Sequence, residues 1–124
     1  MDIDDLNRRV TNAIVHAESL APGSQEAWHA FHEVGLLEES LATHTRADDL
    51  EGEIARLGAV TAALSAGEPL RAVLLAKRYL ADDVADDIRL KLQELLAEGD
   101  AELARVGSDE PNVAFVPFAL QNAA

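Results

Sequence analysis

Apolar residues recur at three- and four-residue intervals through almost the whole chain, the spacing of an α-helix that buries one face. At 100° per residue, Ile3, Leu6, Val10, Ala13, Ile14, Ala17 and Leu20 fall in one stripe, predicting a first helix from about Asp2 to Ala21. Asp2, Asp4 and Asp5 lie where the positive end of the helix dipole favours carboxylates, and Pro22-Gly23 stops the helix. Ser24 is a good N-cap for the next stripe, Ala27, Ala30, Phe31, Val34, Leu37 and Leu41, with Trp28 at its edge. Leu50, Ile54, Leu57, Val60, Thr61 and Leu64 form a third. The second and third stripes share nearly the same phase, so periodicity alone allows one helix over 24–66 or two. A break at Thr43-His44-Thr45 is expected, because Thr45 can cap and Asp48, Asp49 and Glu51 crowd the turn that follows.

Gly67 followed by Pro69 has the signature of a turn between helices. Beyond it runs the longest stripe: Leu70, Val73, Leu74, Leu80, Ala81, Val84, Ile88, Leu92, Leu95, Leu103 and Val106. It predicts a spine helix, with a kink where Asp82 or Asp83 can cap a fresh start and a weak point at Gly99. Ala72, Leu75, Ala76 and Tyr79 give its first turns a second apolar side, which puts residues 70–80 at the centre of the fold. A carboxylate at Leu74 or Ile88 is expected to abolish folding. Gly107 and Pro111 end helical structure, and the segment holding Val113, Phe115, Val116, Pro117 and Phe118 must be extended. The fold class read from these patterns is all-α: a bundle of three to four amphipathic helices over residues 1–107, with a long C-terminal spine helix, then an extended apolar tail over 108–124.

With 124 residues the chain has the size of one domain. Its apolar set is mostly Ala, Leu and Val, which suits helices. It has no cysteine, which removes disulfides, thiolate metal sites and cysteine nucleophiles. Ten Lys and Arg against 23 Asp and Glu leave a formal charge of −13. Such a balance argues against direct nucleic-acid binding and against anionic membranes. It serves solubility first; attraction of a basic partner, a halophilic setting and mimicry of nucleic acid are the other uses of so acidic a surface. The start MDIDDLNRR lacks the layout of a signal peptide, and no apolar run approaches the ~18 residues of a membrane span, so a cytoplasmic protein is expected.

The candidate chemistry is sparse. Glu26-x-x-His29, followed by His32 and Glu33, is half of the carboxylate-bridged di-iron pattern of ferritin-like bundles. The other half is missing, and the wheel turns Glu26, His29 and Glu33 away from the Phe31 and Leu37 stripe, so no metal site is expected. Asp82, Asp83, Asp86 and Asp87 resemble in spacing the paired carboxylates that hold Mg²⁺ in all-α nucleotide pyrophosphatases; on a continuous helix they project together as one exposed acidic patch. The stretch Gly67-Glu-Pro-Leu-Arg-Ala72-x-x-x-Ala76-x-x-Tyr79 resembles the helix-turn-helix centre of a tetratricopeptide repeat over less than one repeat, and is read as a generic helical hairpin. None of Ser19, Ser24, Ser40, Ser65 and Ser108 stands in a nucleophile motif, and no glycine arrangement cradles phosphate.

The reading that follows is a helical protein–protein interaction or assembly module without a cofactor, self-associating, more readily than an enzyme. Leu75, Tyr79, Val113, Phe115, Val116 and Phe118 are its expected partner-binding residues, the tail covering the second apolar side of residues 70–80. The alternatives are a divalent-metal-dependent enzyme using the acidic patch from Asp82 to Asp87, and an acidic decoy that occupies a nucleic-acid-binding protein.

Overall fold

Asp2 accepts the Asp4 amide on its carboxylate at 3.0 Å and opens the first helix, α1 (Ile3–Glu18). Four more follow in the computed structural model, which describes residues 2–109: α2 (Gln25–Thr43), α3 (Leu50–Ser65), α4 (Pro69–Leu80) and α5 (Asp86–Asp109). The architecture is all-α, with no strand among the described residues. The expected tail, with Val113, Phe115, Val116 and Phe118, lies outside them. Neighbours in sequence are neighbours in space: α1 packs on α2, α2 on α3, α3 on α4 and α5, and α4 on α5.

Local caps and turns set several of the boundaries. Ser24 accepts the Ala27 amide at 3.1 Å and starts α2. At the end of α3 the chain makes a Schellman turn, with Gly67 N–H donating to Leu64 O at 3.1 Å and Glu68 N–H to Ala63 O at 2.9 Å. Gly67 stands at φ +72°, which disfavours other residues, and Pro69 opens α4. The break expected at 43–45 is present, so 24–66 is two helices. Thr45 does not cap the second of them, however. Its hydroxyl turns back to Leu41 O at 2.7 Å, and α3 starts five residues later, at Leu50 behind Asp49.

Further expectations are corrected. The spine is two helices, since α4 ends at Leu80 and α5 begins at Asp86, giving five helices among the described residues rather than three or four. Arg89 holds the bend by donating to Leu80 O at 2.8 Å and Asp82 O at 3.2 Å, while Val84 is buried as its apolar anchor. Phase survives the bend because both arms face the same core. Gly99 is not a weak point but a close approach: a Cβ there would lie 2.8 Å from Val73 Cγ2. Nor does Gly107 stop the helix, which runs on to Asp109.

The last correction concerns which face is inside. On α3, Leu50 and Ile54 are exposed, and the buried face is Gly52, Ala55, Arg56, Ala59, Val60, Ala62 and Ala63. Because α2, α4 and α5 all close on α3, its inner face needs small side chains rather than the most hydrophobic ones. On α4 the same reversal holds. Ala72, Val73, Leu75, Ala76 and Tyr79 are buried, whereas Leu70 and Leu74 are 57% and 59% exposed, so the expectation that a carboxylate at Leu74 abolishes folding falls. Ile88, the other position named, is buried.

Candidate functional site

Leu70 and Leu74 stand one turn apart on α4 and line an apolar groove with Arg71, Leu75 and Arg78, bordered from α2 by Glu39. The Arg71 guanidinium pairs with the Glu39 carboxylate and fixes this border. Past Glu39 and Arg78, which belong to both, the groove continues into a polar cleft of about 250 Å³ lined by Thr43, Thr45, Arg56, Tyr79 and Asp82. One surface therefore has an oily end and a hydrogen-bonding end.

Arg56 builds the polar end. Its side chain is 9% exposed, with Nε donating to Asp82 Oδ2 at 3.1 Å, Nη1 to Gly52 O at 3.0 Å and Nη2 to Thr45 O at 3.4 Å. Its guanidinium lies 5.6 Å from the centre of the Tyr79 ring, in cation–π range. It thereby ties the bend after α4 and the loop after α2 to α3. Burial, with Glu39 next, pushes the Tyr79 phenol above its ordinary pKa, so it is a neutral donor. Among the described residues Arg78 makes no ion pair, and the Tyr79 hydroxyl has no hydrogen-bond partner. The cleft has no histidine; its unpaired donors are Arg78 and the Tyr79 hydroxyl, beside the carboxylates of Glu39 and Asp82, each already paired through one oxygen. This arrangement can hold carbonyl or carboxylate oxygens beside apolar side chains; it has no nucleophile with a base to activate it.

Leu75 and Tyr79, expected to bind a partner, are 6% and 5% exposed inside the chain's own core. The accessible apolar groups on α4 are Leu70 and Leu74. The acidic patch does not lie on one helical face: Asp82 sits in the bend and turns to Arg56, while Asp83, Asp86 and Asp87 are exposed. Glu26, His29 and Glu33 line a separate groove between α1 and α2, which His16 also reaches. Among the described residues no group of three or more His, Asp and Glu side chains is placed to hold a metal ion, and no helix is long and apolar enough to cross a membrane.

Sequence reasoning missed Arg56 and Glu39. The signal for Arg56 was there, since position 56 falls between Gly52, Ala59 and Ala63 on a run of small residues, a face that only close packing requires. Glu39 carried none, because its role comes from Arg71, 32 residues away. No known protein family, curated protein or solved structure matches the chain.

Proposed function

We propose that this chain is a protein-interaction module that self-assembles through the groove between α2 and α4. The observation that carries the reading is the exposed Leu70 and Leu74 pair, contiguous with the unpaired guanidinium of Arg78. Two leucines left together in water on one face invite a cover, worth ~1.5–3 kcal/mol for each side chain fully buried.

The covering segment is the apolar sequence around Val113, Phe115, Val116 and Phe118, contributed by a second copy. Pro111 and Pro117 remove two amide donors from that segment but none of its carbonyls, which suits a groove whose open end offers donors. Gly99 lies against Val73 and the Pro69 carbonyl, so α5 passes the start of α4 there. Ten further residues at 1.5 Å each carry its end roughly 15 Å beyond that crossing. A charge of −13 makes two copies repel, so the association is expected to strengthen as added salt screens it. A basic partner would respond in the opposite sense.

The test is light scattering across a dilution series at low and moderate salt, on the full chain, on Leu74→Asp and on a chain ending at Gly107. The expected result is a mass above one chain that falls on dilution and rises with salt, with both variants monomeric and still helical. A single-chain mass at every concentration, or unchanged assembly in Leu74→Asp, overturns the proposal.

A further inference from the structure

Glu38 is an unexplained buried charge. It lies on the inner face of α2 with 4% exposure, and its carboxyl makes no hydrogen bond or ion pair among the described residues. Native chains leave few such groups, because burying a carboxylate without partners costs several kcal/mol. Burial pushes its pKa up to about 7. The carboxyl occupies the space left by the missing side chain of Gly58 on α3: a Cβ at that position would overlap Oε2 and lie 2.6 Å from Cδ.

Glu38 lines a cavity of about 200 Å³ between α1, α2 and α3. Ile14, Phe31, Val34 and Ala62 give it apolar walls, and Glu18, Thr61 and Ser65 line its exposed side. The charged groups facing it are Glu38 from α2 and Glu18 from α1; α3 contributes hydroxyls only, and no cationic side chain lines it. Drug-sized ligands need about 300–1,000 Å³, so this space takes a handful of heavy atoms. Ca²⁺ and Mg²⁺ take six or more oxygen ligands, which the apolar walls cannot supply.

We propose that this cavity binds a primary alkylammonium group, with Glu38 as its counter-ion, the hydroxyls of Thr61 and Ser65 as further acceptors, and Ile14, Val34 and Phe31 against the alkyl stem. An ammonium has three donors and no acceptor, which matches one carboxylate and two hydroxyls. The Phe31 ring adds attraction for a cation where a neutral alcohol gains nothing.

The experiment follows backbone amide NMR shifts of the full chain during titration with n-butylammonium chloride, with 1-butanol as the uncharged control. Saturable shifts at Gly58, Thr61 and Ala62 are expected at pH 8, with affinity about tenfold or more weaker at pH 5.5, where Glu38 is protonated. Glu38→Gln keeps the shape and should lose the binding. Gly58→Ala keeps the carboxyl but displaces it, and should weaken binding while the chain stays folded. Titration with N-acetyl-lysine methylamide identifies the source: binding of both probes assigns the site to a lysine side chain, and binding of butylammonium alone to a free amine. Equal binding of 1-butanol, persistence in Glu38→Gln, or no saturable shift with either amine overturns the proposal.

Discussion

Arg56, buried on α3, donates from Nε to the carboxylate of Asp82 at 3.1 Å, so an acidic bend between two helices is held by a cation from the centre of the bundle. The pair is asymmetric in exposure, 9% against 39% for the side chains, and that asymmetry sets what each deletion does. Asp82→Ala leaves a buried guanidinium without its counter-charge. It should cost roughly 2 kcal/mol, less than the ~3–5 kcal/mol of a fully buried pair because water still reaches Asp82. Asp83→Ala removes exposed charge from a crowded acidic stretch and should be neutral or gain a few tenths of a kcal/mol, while Asp86→Ala also removes a first-turn carboxylate of α5 and should lie within about 0.5 kcal/mol of neutral. Thermal melts of the three variants decide it; equal effects would show that the Arg56 contact contributes nothing.

Leu74 and Leu75 are adjacent in sequence and opposite in environment, 59% and 6% exposed. Leu75→Asp buries a carboxylate and should unfold the chain, a cost of several kcal/mol. Leu74→Asp should keep its circular dichroism spectrum and melt within about 1 kcal/mol of the monomeric parent. Loss of helix in Leu74→Asp would place that residue in the core.

Glu38 gives stability a pH dependence of unusual sign. Its carboxyl has a folded pKa of about 7 against an ordinary 4.5, so the folded chain holds this proton more tightly than the unfolded one. Its contribution is present in full below about 4.5 and is lost as pH rises through 7, a difference on the order of 3 kcal/mol. Glu38→Gln should therefore match the parent near pH 4.5 and become the more stable of the two above pH 7. Melts of both proteins across that range check it, and parallel curves would refute the burial of an isolated carboxyl.

Two glycines mark contacts that admit no side chain. A Cβ on Gly52 would overlap the Arg46 backbone carbonyl, which cannot swing aside, whereas on Gly99 it would lie 2.8 Å from Val73 Cγ2, which can shift. Gly99→Ala sets overpacking of ~1–3 kcal/mol against a helix-propensity gain of ~0.5–1 kcal/mol, so a net loss near 1 kcal/mol is expected. Gly52→Ala should cost more. Chemical denaturation of the two variants tests the order.

The helical period, the caps at Asp2 and Ser24 and the Gly67-Glu68-Pro69 turn were legible in the sequence, because each rests on residues within one or two turns of one another. The break at 43–45, which periodicity left open, was expected from the polar residues there, but the cap assigned to Thr45 is not formed: its hydroxyl turns back to Leu41 O. What the sequence did not show was which face of α3 and α4 is inside. On α3 the hydrophobic pattern selects the greasiest face, but a helix crowded by three neighbours must present its smallest, whereas α4, apolar on two sides and packed on α3 and α5, could bury only one of them; both outcomes are properties of the assembled bundle. The bend at 81–85 was hidden for a related reason, since both arms pack on one core and keep one phase. Glu38 and Arg56 follow the same logic. Each sits in phase with buried residues of its own helix, a sign available in the sequence, yet Gly58 makes room for the first and Asp82 answers the second from 20 and 26 positions away. Local chemistry determined the helices and their ends; contacts across the bundle decided which charges it would bury.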